Sequence, residues 1–349
     1  MPNDVVTRAI DALASRRDLS ADETSEVLAE IMAGEVTEPQ IAGFLIALRT
    51  KGETEAELAG LATAMRAFAD PVRTTCQDLL DTAGTGGGRT TFNVSTTAAL
   101  IAAGAGCRVA KHGNRSATSL SGSADLLEAL GARIDLEPPR VVACIEQVGF
   151  GFMFAPRHHA ATRFVIPVRK ELAVRTIFNF LGPLTNPAGA TRQLIGCSDP
   201  AMPGVMAGAL AGLGTTRALV VSSEDGLDEM STSAPTRVVE VSGPERAVRN
   251  YVFSYEEAGM ARADPADVAG GTPEQNAATT RAILAGEPGP RRDLAMLNAG
   301  AAIYAAGRAD SLLEGVEVAA DAVDSGAAAT LLERFVAFTR ETVTAGGPR

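Results

Sequence analysis

Hydrophobic residues in the first 70 positions recur every three or four residues, which is the spacing of amphipathic helices. Ser20 is followed by Glu23 in the pattern of a capping box, and Thr37 and Thr54 mark similar helix starts. No strand pattern appears before residue 79. The pattern therefore predicts a small N-terminal helical domain of four helices over residues 1–72.

From residue 73 to 349, short apolar runs alternate with helical stretches, which predicts a larger α/β domain whose mainly parallel central sheet is covered by helices. The expected strands are 78–83, 106–110, 132–136, 150–154, 192–197, 217–222 and 237–241, with a polar strand near 249–254. The last three expected helices lie near 274–286, 291–307 and 328–345. Residues 168–182 interrupt the alternation and have a helical pattern, and we expect residues 165–190 to pack back on the helical domain.

Composition and charge narrow the class of protein. No apolar run reaches the length of about 18 residues that a membrane span needs, and the N-terminus has no apolar signal core. We therefore expect a cytoplasmic protein with no membrane partner. The net charge of −11 disfavours a general nucleic-acid surface, since such a surface needs a basic face, but it leaves room for a local basic pocket.

A glycine cluster, Gly84-Thr-Gly-Gly-Gly88, follows the first predicted strand. It matches neither a dinucleotide fingerprint nor a Walker loop, and a flexible turn is the plain alternative. The continuation Thr91-Phe-Asn-Val-Ser-Thr96 favours phosphate binding. Asn93 or Ser95 is expected to cap a helix over 96–104, where the remaining hydroxyls and the helix N-terminus suit a phosphate or a metal-bound diphosphate.

A second polar loop, Lys111-His-Gly-Asn-Arg-Ser116, follows the strand predicted at 106–110. Ligands of open α/β sheets bind at this end of the strands, and the lysine and arginine offer charge-assisted hydrogen bonds to phosphate. A solvated surface turn is the alternative. The serines that follow are expected to cap the next helix at Asp125: Ser119, Ser121 and Ser123.

Asp228 and Glu229 come soon after the apolar strand predicted at 217–222. Adjacent carboxylates at a strand end suit Mg²⁺ when a phosphate ligand completes its coordination, whereas an acidic surface loop is the plain alternative.

Arginine and histidine mark a second type of candidate chemistry. Arg169 lies in a stretch with an arginine six residues to either side, which forms either a charged helical face or a carboxylate-binding site.

The three histidines lie in loop-like segments. Adjacent His158 and His159 cannot easily face one ion, so zinc is disfavoured and we expect His112 and one of the pair to line a pocket.

Taken together, these motifs resemble the anthranilate phosphoribosyltransferases of tryptophan biosynthesis, which have a nucleoside-phosphorylase-like fold. The resemblance runs in order from the N-terminal helices to about residue 340. Its motifs are Gly84–Gly87, Thr91–Thr96, Lys111–Ser116, Ser121–Asp125, Gly226–Glu229 and the run Thr176-Ile-Phe-Asn-Phe-Leu-Gly-Pro-Leu-Thr-Asn-Pro187.

The resemblance implies that the amine of anthranilate displaces diphosphate from C1 of 5-phosphoribosyl 1-diphosphate. It also implies two Mg²⁺ ions and a homodimer formed through the N-terminal helices. The residues implied for phosphoribosyl diphosphate are Gly84, Gly87, Gly88, Thr91, Asn93, Ser95, Thr96, Lys111, His112, Gly113, Asn114, Arg115, Ser116, Ser119 and Ser123. Those implied for anthranilate are Gly84, His112, Asn114, His159, Arg169 and Pro183, and those for the metal are Ser95, Asp228 and Glu229.

One departure from the family pattern concerns the glycine loop. The family usually has G-T-G-G-D-G and two variable residues before the T-F-N run, whereas this chain lacks the acid and is one residue shorter. Arg89 is a candidate for a compensating phosphate contact. The basic residue often found before S-G-S is Leu120 here, which removes a second charge.

Other functions fit parts of the sequence. Within the same fold, a pyrimidine nucleoside phosphorylase or a transferase for another aromatic acceptor is the alternative. From a different class, a non-catalytic nucleic-acid-binding homologue is the alternative, although the charge of −11 and the retained Asp228 and Glu229 stand against it. Whether His112 or a water takes the amine proton stays open.

Overall fold

The computed structural model describes residues 1–116 and 119–341. The N-terminal unit consists of α1 (Asp4–Ala14), α2 (Ala21–Ala33), α3 (Glu38–Lys51) and α4 (Glu55–Ala67). The predicted capping box begins α2, because the Ser20 hydroxyl accepts a hydrogen bond from Glu23 N while Ser20 N donates to the Glu23 carboxylate. Four helices therefore form where the amphipathic pattern predicts them.

The remaining chain builds one seven-stranded sheet. Its strands are β1 (Leu80–Gly84), β2 (Val109–Gly113), β3 (Phe150–Phe154), β4 (Arg192–Gly196), β5 (Arg217–Ser223), β6 (Thr236–Ser242) and β7 (Ala247–Phe253). The spatial order is β3-β2-β1-β4-β5-β6-β7, in which β1 to β5 are parallel and β6 and β7 are antiparallel. The predicted mainly parallel sheet is confirmed.

Helices cover both faces of this sheet. They are α5 (Val94–Gly104), α6 (Ser123–Ala129), α7 (Pro138–Val148), α8 (Ala155–His158), α9 (Ile166–Leu172), α10 (Phe178–Leu181), α11 (Pro203–Gly212), α12 (Pro273–Leu284), α13 (Pro290–Ala305), α14 (Leu312–Asp324) and α15 (Ala327–Arg340). Short 3₁₀ turns lie at Ala160–Phe164, Gly182–Leu184 and Tyr255–Ala258. Among the described residues, no helix is long and apolar enough to cross a membrane.

The strand predicted at 132–136 is wrong. This segment is an irregular connection between α6 and α7, and its alternating apolar side chains are buried without a strand partner. Arg133 N donates to the Thr339 hydroxyl of α15 instead of to a neighbouring strand. Alternation here reflects a chain lying against a helix, which sequence periodicity does not distinguish from a sheet edge.

The C-terminal region has four helices rather than the three predicted, because α14 was missed. Its start carries a local signal, since the Ser311 hydroxyl accepts a hydrogen bond from Glu314 N. Gly300 of α13 and Gly315 of α14 let the two backbones approach closely: a Cβ on Gly315 would lie 2.3 Å from Gly300 O. Residues 342–345 of the last predicted helix lie outside the described residues.

The two largest of the three apolar cores among the described residues lie on opposite faces of the sheet, because successive side chains of a strand point to opposite faces. On β5, Leu219 and Val221 join the core formed with α5 and α13, while Ala218 and Val220 join the core formed with α1–α4. The second core also takes in apolar residues from the segment between residues 165 and 184: Val165, Val168, Ile177, Phe178, Phe180, Leu181 and Leu184. The N-terminal helices thus extend one covering layer of the sheet, and the domain boundary at residue 72 stays a prediction.

Candidate active site

Three of the predicted motifs meet at the carboxyl edge of the sheet. The glycine loop follows β1, and the turn carrying Asp228 and Glu229 follows β5. The loop predicted from Lys111 begins later, because Lys111 to Gly113 are the last residues of β2 and only the residues from Asn114 leave the strand. Direct contact joins the glycine loop and the turn carrying Asp228, because Gly86 N donates a 2.9 Å hydrogen bond to Asp228 Oδ2. Ligands of open α/β sheets bind at this edge, so we treat it as the candidate active site.

Glycines at the ends of β1 and β4 allow the acidic turn to lie against the sheet. Gly84 and Gly196 are paired neighbours in the parallel ladder. A Cβ on Gly84 would lie 2.7 Å from Asp228 Oδ2, and one on Gly196 would lie 1.5 Å from Asp228 O. The glycines therefore supply space at the point where the acidic turn crosses the strand ends.

Replacing Gly196 by Ala is expected to displace the acidic turn and to cost about 2 kcal/mol or more of stability, because the new methyl group would overlap a backbone oxygen. Thermal unfolding with and without Mg²⁺ measures this loss. Gly204→Ala on α11 is the matched control, since nothing lies within 4 Å of its Cβ position. Equal unfolding temperatures for the two variants would contradict the assignment.

The carboxylates of Asp228 and Glu229 are half-buried and have no cationic hydrogen-bonding partner in the part of the chain that the structure describes. Burial raises the pKa of Asp228, against the hydrogen bond from Gly86 N. Burial and then the charge of Asp228 raise the pKa of Glu229 well above its usual range, opposed by Lys111 and by the Ser95 N–H. A divalent cation bound between these two adjacent carboxylates would stabilise their ionised forms.

No cluster of three or more His, Cys, Asp or Glu side chains suited to a metal occurs among the described residues. This too fits Mg²⁺, which is commonly held by one or two carboxylates, while waters and substrate phosphates complete its coordination.

Lys111 lies beneath the site rather than on its wall. It is 1% exposed, and its Nζ donates to the carbonyl and the hydroxyl oxygen of Thr82. Burial lowers the pKa of Lys111 to about 8, against the attraction of Asp81 and Glu229. The ammonium group thus serves as a buried counter-charge in this structure, and its predicted phosphate contact stays a prediction.

Asp81 is a site residue that sequence reasoning missed. It is buried, accepts hydrogen bonds from His112 N at 3.0 Å and Asn186 Nδ2 at 2.7 Å, and has a pKa raised by burial. Asn186 also donates to Ala110 O at 2.8 Å. A polar residue inside the apolar β1 was the available signal. Asp81 and Asn186 together join β1, β2 and the segment 176–187.

Asn93 connects the loop at Ser121 to the first turn of α12 and does not cap α5. Its Oδ1 accepts from the Ser121 hydroxyl at 2.9 Å and from Asn276 Nδ2 at 2.8 Å, while its Nδ2 donates to Ser121 O at 3.0 Å. The helix α5 begins at Val94 with no side-chain cap, so the expected capping by Asn93 or Ser95 is wrong. The reason is tertiary, because the amide is bonded to two distant segments. Asn276 had no signal in the sequence.

The Thr96 hydroxyl is buried and has no hydrogen-bonding partner within the described ranges. Thr91 is half-buried and its carbonyl packs against Gly270, where a Cβ would lie 2.1 Å from Thr91 O. Gly87 O accepts from Arg175 Nη2 at 3.1 Å. The structure therefore keeps these candidate residues near the strand end of β1, on and after the glycine loop.

Arg115 is neutralised by acidic side chains. Its guanidinium pairs with Asp125 at 2.7 Å and with both oxygens of Glu128, so its charge is not free for a phosphate in this structure. Ser116 N also donates to Asp125 Oδ2 at 3.2 Å. Asn114 is exposed. The phosphate role of Arg115 and Ser116 stays a prediction.

The serines after this loop do not cap α6. The N-cap position is Gly122, whose N–H donates to Asp125 at 2.9 Å, and Ser123 is the first helical residue. The predicted serine capping is therefore wrong, because a carboxylate of the first turn satisfies the helix start. Ser119 lies near Ser116, with 2.7 Å between their hydroxyl oxygens. Gly113 has no room for a side chain, since a Cβ would lie 2.8 Å from the Phe152 ring.

His112 and His159 form a buried pair, with ring centroids 5.0 Å apart. The Nδ1 atom of His112 lies 3.3 Å from Gly182 O, and the Nε2 atom of His159 lies 3.1 Å from Thr185 O. Burial lowers the pKa of His112 to about 3 and that of His159 to about 4, so both rings are neutral near pH 7. Carbonyls accept only, so His112 carries its proton on Nδ1, which leaves Nε2, buried and without a described partner, as an acceptor.

Arg169 is the candidate carboxylate-binding residue. Its Cζ lies 5.5 Å from the centroid of the Phe178 ring, and burial lowers its pKa. Its guanidinium has no ion-pair partner in residues 1–116 and 119–341. Pro183 is buried, and its carbonyl accepts from Gln193 Nε2 at 2.8 Å, which fixes the segment near His112. A half-buried, unpaired arginine suits an incoming carboxylate.

Comparisons with known proteins agree with this geometry. The family model for the α/β domain of the glycosyl transferase family matches residues 76–329, and the model for the helical bundle domain of that family matches residues 7–69. Anthranilate phosphoribosyltransferase of Desulfatibacillum aliphaticivorans is 49% identical over 330 residues, which cover 94% of this chain and 97% of that protein. The enzyme of Symbiobacterium thermophilum is 50% identical over 328 residues, which cover 94% of this chain and 96% of that protein. This chain belongs to the anthranilate phosphoribosyltransferase family.

Solved structures of this family share the fold. Anthranilate phosphoribosyltransferase from Thermus thermophilus has a TM-score of 0.90 at 49% identity, covering 95% of this chain and 99% of that chain. The structure of the Saccharomyces cerevisiae enzyme in complex with PRPP and Mg has a TM-score of 0.86 at 26% identity. The match covers 96% of this chain and 97% of that chain. These findings confirm the predicted fold class and favour phosphoribosyl transfer to anthranilate over the phosphorylase and nucleic-acid-binding alternatives.

Proposed function

We propose that the carboxyl edge of β1, β2 and β5 is the site at which this protein joins its two substrates. The protein transfers the 5-phosphoribosyl group of 5-phosphoribosyl 1-diphosphate to the amine of anthranilate in tryptophan biosynthesis. The products are N-(5-phosphoribosyl)anthranilate and diphosphate. The observation that carries the proposal is the adjacent Asp228 and Glu229 pair, which has no ion-pair partner within hydrogen-bonding distance among the described residues and is bonded to the glycine loop at Gly86.

The glycine loop, the start of α5 and the loop after β2 would form the phosphoribosyl diphosphate site. Gly86 and Gly87 have φ of +68° and +77°, the left-handed backbone that glycine adopts at least cost. Consecutive backbone N–H groups in such a loop, beside a helix N-terminus, favour anionic oxygens. The buried Thr96 hydroxyl without a described partner lies in the first turn of that helix and supports the assignment.

Asp228 and Glu229 would hold Mg²⁺, and we propose two ions, with Ser95 near one of them. When bound, Mg²⁺ neutralises the charge that develops on the departing diphosphate. The donor set supports this role, because burial raises the pKa of both carboxylates while the nearby Ser95 N–H lowers that of Glu229.

Anthranilate would bind between Arg169 and the His112–His159 pair. The Arg169 guanidinium would take the substrate carboxylate, and the aromatic ring would lie against His112, His159, Pro183 and the backbone near Gly84 and Asn114. Neutral histidines and a buried proline make an apolar wall that suits an aromatic ring.

The chemistry needs no nucleophilic side chain. As diphosphate leaves, positive charge develops at C1 and the amine attacks from the opposite face, so the protein contributes positioning and electrostatics. The proton of the amine passes to water or to His112 Nε2. The buried His112 Nε2, which has no partner among the described residues, supports the second route, while burial lowers the pKa of the ring and so weakens it as a base.

The direct test follows anthranilate fluorescence in the presence of phosphoribosyl diphosphate and Mg²⁺, with EDTA as the control. We expect loss of fluorescence that EDTA blocks. That result would also show that the shortened glycine loop is compatible with turnover. A folded protein that leaves the fluorescence unchanged would refute the proposed function.

Two expectations from the sequence stay proposals. A homodimer through α1–α4 would cover Ile46 of α3, which is 36% exposed at the surface of this helical unit. The cytoplasm is the proposed location, which accords with the role in amino-acid biosynthesis.

A further inference from the structure

The glycine loop of this chain carries an arginine that bonds to the acidic turn. Arg89 Nη2 lies 2.8 Å from Asp225 Oδ2, and Arg89 N donates to Gly226 O at 3.1 Å. Asp225 also accepts from the Ser231 hydroxyl at 2.8 Å. The acidic partner of Arg89 therefore lies three residues before Asp228, in the same turn, and is itself held in place.

Stability alone does not account for this ion pair. The side chains of Arg89 and Asp225 are 24% and 16% exposed, and Arg89 Nε and Nη1 are buried without a partner in the described ranges. Burying an arginine whose donors are only partly satisfied is unfavourable. We therefore expect the Arg89–Asp225 ion pair to have a role in the site other than stabilising the fold.

The loop and the turn are joined at three points. Two are the bonds of Arg89 to Asp225 and Gly226, and the third is the bond of Gly86 N to Asp228. The surfaces also touch, because a Cβ on Gly88 would lie 2.6 Å from Gly226 O. A shift of the glycine loop would therefore move Asp228 with it.

We propose that Arg89 is a positioning residue that holds the turn of Asp228 and Glu229 against the glycine loop. Through Asp225 it sets the distance between the loop amides and the metal-binding carboxylates, so that both meet one Mg²⁺-bound diphosphate. The role rests on the proposed function. It concerns binding of phosphoribosyl diphosphate and Mg²⁺ and not of anthranilate.

The test compares Arg89→Ala, Arg89→Lys, Asp225→Asn, Asp225→Ala and the double alanine variant. Calorimetric titration with phosphoribosyl diphosphate at fixed Mg²⁺ should show a Kd raised at least about fivefold for Arg89→Ala. A change of this size is within the range of interaction free energies between residues in contact. The Mg²⁺ concentration for half-maximal activity should rise in parallel, while the anthranilate KM stays within about twofold. Arg89→Lys should recover part of the loss.

The double alanine variant should bind no more weakly than the weaker of its parents, because the two residues act through one contact. Arg192→Ala is the matched control. Arg192 forms a 3.0 Å ion pair with Asp78 at the amino end of β4, away from the site. The Arg192→Ala variant should therefore bind phosphoribosyl diphosphate with an unchanged Kd.

Three results would overturn the role of Arg89. These are an unchanged Kd in the Arg89 and Asp225 variants, an equal rise in anthranilate KM, or additive losses in the double variant. If Arg89→Ala does not fold, Arg89→Lys and Asp225→Asn decide by the same measurements. Absence of turnover in the unmodified enzyme would instead refute the proposed function, so the two failures are distinct.

Discussion

Replacing Asp228 by Asn together with Glu229 by Gln is expected to lower Mg²⁺-dependent turnover by about a thousandfold or more, the order of loss seen when charge stabilisation of a leaving group is removed. Both replacements keep the shape of the side chain and remove its charge. Mg²⁺ titration of the fluorescence assay and calorimetric binding of phosphoribosyl diphosphate with Mg²⁺ would measure the effect.

The same variant should be at least as stable as the parent near pH 7. Burial raises the pKa of both carboxylates, and the charge of Asp228 raises that of Glu229 further, so the folded state disfavours their ionised forms and neutral amides remove that cost. Thermal unfolding without Mg²⁺ should therefore show an equal or higher midpoint. Lost activity in a well-folded variant separates a metal-binding role from a structural one.

Glu256→Gln with Glu257→Gln is the matched control, since this is an adjacent acidic pair that is exposed at the surface. It should leave turnover and its Mg²⁺ dependence unchanged. Retained activity in the Asp228 and Glu229 variant, or equal losses in the two double variants, would contradict the metal assignment.

Replacing Arg169 by Ala is expected to raise the anthranilate KM by about 30-fold or more, because a charge-assisted contact with a carboxylate is worth about 2–3 kcal/mol. The KM of phosphoribosyl diphosphate should change by less than about twofold, since its groups lie on other elements. Steady-state kinetics with each substrate varied in turn measures the split. Arg169→Lys should recover part of the affinity, because it keeps the charge but loses the planar fork.

Arg163→Ala provides the control for Arg169. Arg163 lies six residues earlier, and its Cζ lies 4.6 Å from the centroid of the Phe164 ring. It is also an arginine beside a phenylalanine, but it is exposed, whereas Arg169 is half-buried. We expect wild-type kinetics for this control. An equal rise in both substrate KM values for Arg169→Ala would show a general structural effect and refute the carboxylate role.

Local physics explains which elements could be predicted. Apolar spacing and the Ser20–Glu23 capping box place the N-terminal helices, because these signals act within one or two helical turns. Short apolar runs place the parallel strands for the same reason. The segment 132–136 and the helix α14 were mistaken because their apolar residues face other helices, and periodicity does not report the partner.

The site motifs were also visible in the sequence, since glycine, hydroxyl and carboxylate residues follow strands whose carboxyl ends share one edge. The tertiary structure decided which side chains are available to a ligand. It buries Lys111 against Thr82 and pairs Arg115 with Asp125, yet it leaves Arg169 without an ionic partner among the described residues.

By itself, the sequence determined the fold class, most of the elements and the family, because these depend on local periodicity and on contiguous motifs. Only the tertiary structure decided that Asn93 meets Asn276, that His112 meets His159 and that Arg89 holds Asp225. Those contacts join residues up to 183 positions apart. Distant pairing depends on how the helices and strands pack around the sheet, and packing leaves no local pattern in the chain.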